Sequence, residues 1–214
     1  NPDFKGSVLV IEKDWTYARS ATALSSSSIR HQFSNAINVQ ISQFGTEFIR
    51  DFKHHVAVDD DTPEIGFHEN GYLFLAGDER GKKVLEQNHA TQSACGAHIS
   101  LLDPEALARR FPWLNMDGLA LGSYGERGEG WFDSSALMQG FRRKARSLGV
   151  EYVEDEVVAT ERQGDRIVSV TTKSGQTIAC GTLVNTSGTN GKKVARMARL
   201  DIPVEPRRRS LFVV

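Results

Sequence analysis

An acidic residue that ends an apolar run is the first feature of this chain that could do chemistry. The run covers residues 7–11, and Glu12 and Lys13 follow it directly. In a dinucleotide-binding βαβ unit the second strand ends in such a residue, whose carboxylate accepts hydrogen bonds from the adenosine ribose hydroxyls. Glu12 is therefore a candidate ribose-binding residue, with Lys13 beside it. The glycine-rich turn of such a unit lies about twenty residues upstream, so we expect it before Asn1.

A serine-rich segment is the second candidate. It contains Ser26 and Ser27 and runs into Ile29, Arg30 and His31. Hydroxyls and exposed backbone N–H groups of a loop can donate hydrogen bonds to a pyrophosphate. A serine cluster on its own is more often a flexible loop, so both interpretations stay open.

Two later segments could contact a nucleotide through their backbone. Val158 lies in an apolar stretch whose main chain could meet an adenine edge, and Thr186, Ser187 and Gly188 are small enough to let the backbone approach closely. Each feature alone is also typical of an ordinary strand end. The argument for a nucleotide site depends on their occurring together with Glu12.

Composition excludes several classes of function. The 214 residues are 39% hydrophobic and 25% charged, with a formal net charge of −1, which is ordinary for a globular protein and provides no basic field for nucleic acid. Two distant cysteines and six histidines show no metal-ligand spacing, so we expect no metal site. No apolar stretch is long enough to span a membrane. We expect a cytoplasmic bacterial protein, or a mitochondrial matrix protein if the source is eukaryotic.

Hydrophobic periodicity and turn residues predict alternating helices and strands. A helix over 36–55 should bury Ile37, Ile41, Phe44, Phe48 and Phe52, which recur at helical spacing. Asn70-Gly71 predicts a β-hairpin between residues 65–69 and 72–75. Further helices are predicted over 78–93, 104–111, 134–148 and 192–199. A meander of strands is predicted over 151–153, 156–162, 166–172 and 177–179. Other strands are predicted over 119–124, 183–188 and 204–214.

The order of these segments resembles the FAD-dependent amine and amino-acid oxidoreductases, the family of D-amino-acid oxidase, sarcosine oxidase and dimethylglycine dehydrogenase. Residues 111–114, 123–125 and 129–133 are similar to one branch, linked to assembly of mitochondrial complex I and including bacterial relatives. The resemblance covers nearly the whole chain, and its other anchors are residues 8–14, 27–34, 71–75, 183–188 and 202–208.

The resemblance implies an α/β fold in which an incomplete Rossmann-like FAD-binding domain, residues 1–60 and 130–200, carries an inserted, mostly antiparallel substrate domain, residues 61–129 and 201–214. It implies an enzyme that oxidises the CH–NH bond of an amine or N-substituted amino acid by hydride transfer to flavin. Its implied FAD-binding residues are Glu12, Lys13, Ser26, Ser27, Ile29, Arg30, Val158, Thr186, Ser187 and Gly188.

Arg30 and His31 are the implied catalytic residues. Arg30 matches an arginine that pairs with the substrate carboxylate in sarcosine-oxidising members, a task for which a guanidinium fork is suited. The alternative for Arg30 is an ion pair within the protein. Thr186, Ser187 and Asn190 depart from the family pattern, which has two alanines before the glycine and an aromatic residue shortly after it.

Two alternatives to a flavin enzyme stay open. One is an assembly factor that keeps the flavoprotein fold, docks on a respiratory complex and has little or no turnover. The other is an NAD-linked dehydrogenase, which depends on Glu12 alone because both nucleotides carry ribose hydroxyls. The sequence does not identify the substrate or the electron acceptor.

Overall fold

The chain forms two compact units in a computed structural model that describes residues 3–212. One unit comprises Asn1–Ser25 with Phe141–Val214, and the other comprises Ser26–Gly140. Their bounds differ from those of the two predicted domains, which divide the chain by function and stay a prediction. Mixed helices and strands in both units confirm the predicted α/β class.

A three-stranded antiparallel sheet organises the Ser26–Gly140 unit. Its central strand β5 (Leu121–Gly125) pairs with β3 (Tyr72–Ala76) on one side and with β4 (Ile99–Leu102) on the other. A short antiparallel pair joins β2 (Ser28–Ile29) to β6 (Gly130–Trp131). These strands place Ile29 and the residues after it beside the loop that follows β5.

Side-chain caps mark where several helices of this unit begin. Helix α1 (Ala36–Arg50) begins after Asn35, and α3 (Glu79–Ala94) begins after Asp78, whose carboxylate accepts a hydrogen bond from Gly81 N at 2.6 Å. Pro104 occupies the first turn of α4 (Pro104–Arg110) after the cap Asp103, as its fixed φ favours. The predicted helices over 78–93 and 104–111 are therefore confirmed.

The helix predicted over 36–55 is interrupted, and only part of its predicted apolar face is buried: Phe52 is 1% exposed and Phe48 packs against the core, as predicted. The helix breaks at Asp51 between α1 and α2 (Phe52–Val56). The α1 side chains that are buried are Val39, Thr46 and Ile49, whereas Ile37, Ile41 and Phe44 are 58%, 60% and 71% exposed. Ile49 and Phe52 form a core cluster with Val56 and Ile65.

The predicted hairpin around Asn70-Gly71 is wrong. Gly71 does have positive φ, at 86°, but β3 pairs with β5, and His68 bridges to Trp131 instead. The amide of Gly71 donates to the carbonyl of Glu129 at 3.0 Å. Asn70-Gly71 joins no two paired strands, because the segments on either side of it pair with residues distant in sequence.

A parallel strand pair lies in the other unit. Strand β1 (Leu9–Glu12) pairs in parallel with β7 (Glu151–Glu154), so that Glu12 lies opposite Glu154. Helix α5 (Ser134–Ser147) precedes β7 and contains the boundary between the units. Asp133 caps this helix, with its carboxylate accepting from Ala136 N at 3.0 Å.

An antiparallel meander follows β7. Strands β8 (Val157–Gln163), β9 (Arg166–Thr172) and β10 (Thr177–Ala179) pair in that order. Residues 151–153 were predicted to belong to the meander and instead form the parallel pair with β1.

The C-terminal part of this unit contains less strand than predicted. Residues 183–187 form no strand, and a short 3₁₀ turn at Gly188–Asn190 leads into α6 (Gly191–Met197), which confirms a helix in this region. Residues 204–212 also lack strand pairing, and the rest of the strand predicted to reach Val214 lies outside the described residues. None of the helices that the structure describes is long and apolar enough to cross a bilayer.

Candidate functional site

Glu12 occupies the carboxyl end of a parallel strand, where ligands bind in open α/β sheets. The side chain is half-buried, and Oε1 accepts a hydrogen bond from Asp14 N at 3.0 Å. Lys13 is exposed. The amide of Asp155 donates to the carbonyl of Glu12 at 3.0 Å, so the segment that enters β8 begins beside the candidate acid.

The other predicted nucleotide-binding residues of this unit present accessible backbone. Val158 is 43% exposed in β8. Thr186, Ser187 and Gly188 are exposed in a loop, where the Ser187 hydroxyl donates to Asn185 Oδ1 at 2.7 Å. Gly188 has φ of 54°, and a Cβ added there would meet nothing within 4 Å. A nucleotide could therefore approach this backbone closely without a steric clash.

The serine segment belongs to the Ser26–Gly140 unit, and its residues have different environments. Ser26 is exposed, whereas Ser27 adopts φ of 52° and its hydroxyl bonds to that of Ser134 at 2.7 Å. Ile29 packs against the core cluster. Of the three predicted contacts, Ser26 is thus the one whose side chain is exposed, while Ile29 anchors the segment.

Arg30 lies among three aromatic rings. Its guanidinium carbon is 4.9 Å from the ring centroid of Phe33 and 5.5 Å from the centroids of both Tyr72 and Phe74. Its Nε is buried without a hydrogen-bond partner, and no carboxylate among residues 3–212 forms an ion pair with it. The internal ion pair considered as an alternative for Arg30 is therefore absent from the described part of the chain, so the guanidinium retains its capacity to bind an anion.

A buried carboxylate contacts the backbone amide that follows Arg30. Glu129 is completely buried, and its carboxylate accepts from His31 N at 2.6 Å and from Gln32 Nε2 at 2.8 Å. Burial raises the pKa of Glu129 above its usual value, although the hydrogen bonds from Gln32 and His31 and the charge of Arg30 act in the opposite direction. The predicted site residues did not include Glu129, although a charged residue between Gly128 and Gly130 is an unusual pattern that could have drawn attention.

His31 is packed as a structural histidine. The residue is 6% exposed, and Nε2 lies 2.9 Å from Thr46 Oγ1. Thr46 Oγ1 also donates to the carbonyl of Gly128 or Ser42. Burial lowers the pKa of His31. A neutral ring held in this way favours a positioning role over proton transfer, and the predicted catalytic role of His31 stays a prediction.

The predicted site residues therefore fall into two groups. Glu12, Lys13, Val158 and residues 186–188 belong to one compact unit, whereas residues 26–31 belong to the other. Within the described chain, no group of three His, Cys, Asp or Glu side chains could hold a metal ion.

Comparison with known proteins identifies the family. The family model described as FAD dependent oxidoreductase matches residues 4–214. The chain is 38% identical to FAD-dependent oxidoreductase domain-containing protein 1 of Xenopus laevis, in an alignment covering 97% of this chain and 47% of that protein. It thus spans about half the length of that relative.

Two further proteins agree with this assignment. Mitochondrial dimethylglycine dehydrogenase of Rattus norvegicus is 30% identical, over 66% of this chain and 16% of its own length. The crystal structure of glycine oxidase from Geobacillus kaustophilus superimposes with a TM-score of 0.77 at 20% identity, over 94% of this chain and 54% of that one, which supports the predicted fold. The chain therefore belongs to the FAD dependent oxidoreductase family, whose cofactor is FAD.

Proposed function

We propose that this chain forms part of the site of an FAD-dependent oxidoreductase that oxidises the CH–NH bond of an amine or N-substituted amino acid bearing a carboxylate. The observation that carries the proposal is the guanidinium of Arg30, which lies among the rings of Phe33, Tyr72 and Phe74 and forms no ion pair with any of residues 3–212. The name of the relative dimethylglycine dehydrogenase agrees with a substrate of this class.

The residues of the described chain fit FAD. The half-buried Glu12 carboxylate at the end of β1 suits ribose hydroxyls, and the exposed backbone around Gly188 admits a nucleotide at close range. Lys13, Ser26, Ser27, Ile29 and Val158 complete the proposed contact set. When bound, the flavin supplies the acceptor for the hydride, and the protein supplies orientation and electrostatics.

Arg30 is suited to orient the substrate. A guanidinium binds a carboxylate through two parallel hydrogen bonds, which fixes the direction of the ligand as well as its position. The surrounding rings restrict the guanidinium and reduce its contact with water, so its interaction with an anion is stronger than at an open surface.

The test uses the intact protein. We expect it to be purified with flavin absorbance, and we expect sarcosine, dimethylglycine or proline to bleach that absorbance under anaerobic conditions. Arg30→Met should lower kcat/KM about a hundredfold or more, because two hydrogen bonds between charged groups cost about 3 kcal/mol together.

Arg110→Met is the matched control. Arg110 is exposed and stacks on the single ring of Tyr124 at 5.5 Å, so this variant should keep the wild-type kcat/KM. A colourless intact protein, or an Arg30→Met variant that oxidises carboxylate-bearing substrates as well as wild type does, would contradict the proposal.

A second candidate function is favoured by the apolar face of α1. Ile37, Ile41 and Phe44 lie on one side of this helix and are more than half exposed in the described structure. Because exposed apolar patches commonly mark interaction surfaces, this face suits an assembly factor that docks on a respiratory complex.

Thiol labelling tests the assembly role against the enzymatic one. Phe44→Cys in the intact protein should react readily with a thiol reagent when the protein is alone and become protected when the complex is added. Protection of Cys at this position in the isolated protein, or flavin turnover without stable capture of a respiratory complex, would contradict the assembly role.

A further inference from the structure

The loop after β5 holds a fully buried carboxylate that contacts the peptide following Arg30. Glu129 Oε1 accepts from His31 N at 2.6 Å, and that N–H belongs to the peptide bond between Arg30 and His31. On the other side, the hydroxyl of Ser42 donates to the carbonyl of Arg30 at 2.5 Å. Both polar groups of this peptide are therefore held by side chains, which restricts rotation of the backbone at Arg30.

Gln32 connects the same carboxylate to the aromatic rings around Arg30. Its Nε2 donates to Glu129 Oε2 at 2.8 Å and to the carbonyl of Tyr72 at 2.8 Å, while its Oε1 accepts from the Ser123 hydroxyl at 2.7 Å. Tyr72 supplies one of the three rings over Arg30. The network thus links the backbone of Arg30 to the strand that carries Tyr72 and Phe74.

The backbone of β5 packs closely against the Glu129 carboxylate. A Cβ added at Gly125 would lie 1.9 Å from Oε2 and 2.1 Å from Cδ. Burying a carboxylate costs free energy unless its oxygens accept hydrogen bonds. A hydrophobic residue could fill this space at lower cost, so packing alone does not account for a carboxylate here.

We infer that Glu129 is a positioning residue that fixes the guanidinium of Arg30, through the His31 amide and Gln32, in the orientation that accepts a substrate carboxylate. This inference rests on the proposed function, in which Arg30 binds that carboxylate. Glu129 itself is completely buried, and it acts on the ligand through Arg30.

Glu129→Gln is the informative substitution because it keeps the size of the side chain. An amide donor would replace the oxygen that faces Gln32 Nε2, and the Gln32 amide must turn over to avoid two donors facing each other. Its Nε2 then leaves the Tyr72 carbonyl. The hydrogen-bond network then no longer reaches the strand that carries Tyr72, although the substituted side chain at position 129 still fills its space.

The probe is methoxyacetate, which carries a carboxylate but no oxidisable CH–NH bond. Its dissociation constant for the intact FAD-loaded protein is measured by titration calorimetry, which does not depend on turnover. We expect Glu129→Gln to weaken binding about tenfold. The control Glu126→Gln makes the same charge change at an exposed position on the same loop and should stay within twofold of wild type.

A double-mutant cycle separates positioning from a general structural effect. In the Arg30→Met background, Glu129→Gln should change the dissociation constant no further, since the group through which Glu129 acts is gone. Thermal unfolding and flavin content report whether each variant is folded. If Glu129→Gln does not fold, Ser123→Ala releases Gln32 more gently and should weaken binding about threefold.

The binding measurements distinguish a failure of the role proposed for Arg30 from a failure of the role proposed for Glu129. If Arg30→Met binds methoxyacetate as tightly as wild type, the substrate-anchoring role of Arg30 is wrong and this inference is wrong with it. If Arg30→Met weakens binding while folded Glu129→Gln and Ser123→Ala stay within twofold of wild type, only the positioning role is overturned. An equal effect of Glu129→Gln in both backgrounds also overturns it.

Discussion

Gly125→Ala tests the packing of the buried carboxylate most directly. Gly125 lies in the central strand β5, where it pairs with Tyr72 and Ile99. An added Cβ would come 1.9 Å from Glu129 Oε2 and 2.1 Å from its Cδ, far inside van der Waals contact. The carboxylate would have to move away from the strand, and it would leave its two hydrogen-bond donors.

The magnitude follows from the two bonds that the movement breaks. These are the hydrogen bonds from His31 N and Gln32 Nε2, at 2.6 and 2.8 Å. Each bond to a charged group contributes about 1.5 to 3 kcal/mol, and the lower flexibility of Ala in the unfolded chain returns about 0.4 to 1 kcal/mol. We expect Gly125→Ala to lower the free energy of unfolding by about 2 to 6 kcal/mol.

Urea unfolding of the intact protein, followed by circular dichroism, measures this change. Gly181→Ala is the control, because an added Cβ there meets nothing within 4 Å, and its effect should stay within about 0.5 kcal/mol. Combining Gly125→Ala with Glu129→Ala removes the colliding carboxylate, so the double variant should lose less than the sum of the single losses. A loss below about 1 kcal/mol for Gly125→Ala, or strict additivity in the double variant, would refute the reasoning.

Three further expectations concern stability. Leu107→Ala removes a completely buried side chain of α4 and should lower the free energy of unfolding, measured by urea titration, by about 2 to 5 kcal/mol. A loss under about 1 kcal/mol would mean that neighbouring side chains move in and fill the cavity. Asp78→Ala removes the cap of α3 and should cost about 1 kcal/mol, whereas Asp78→Asn should cost less; equal losses would contradict the capping role. Hydrogen bonds from Ser174 and Thr172 lower the pKa of Asp155 to about 2, from 3.8. Its contribution to stability is therefore present above pH 3.8 and is lost as the pH falls through 2. The stability of Asp155→Asn should depend less steeply on pH in that range than the stability of wild type, as measured by acid unfolding. An unchanged profile would be inconsistent with the lowered pKa.

Local chemistry in the sequence was enough for much of the architecture. Asp78, Asp103 and Asp133 cap the helices that were predicted over 78–93, 104–111 and 134–148, and a side-chain cap acts over three residues and needs no distant partner. Glu12 ends a strand as predicted, since an apolar run followed by a charge is a local pattern. The resemblance to the FAD-dependent family was confirmed because it depended on several segments in order.

Pairing and burial were decided by contacts between residues far apart in the chain. Asn70-Gly71 satisfied the pattern of a hairpin, but strand β3 bonds to β5, about fifty residues later, and no local signal encodes that choice. The apolar spacing of Ile37, Ile41 and Phe44 marks one helix face correctly, yet the core covers the face of Val39 and Ile49. Periodicity tells which side chains share a face and leaves open which face a neighbour will cover.

The sequence alone determined the family, the α/β class, the helix starts and the candidate residues Glu12 and Arg30. Only the tertiary structure decided what surrounds Arg30: three rings, no carboxylate in ion-pair contact within residues 3–212, and Glu129 buried behind the backbone. The physical reason is that these partners lie up to about a hundred residues away, and the environment of a charge depends on distance in space rather than along the chain.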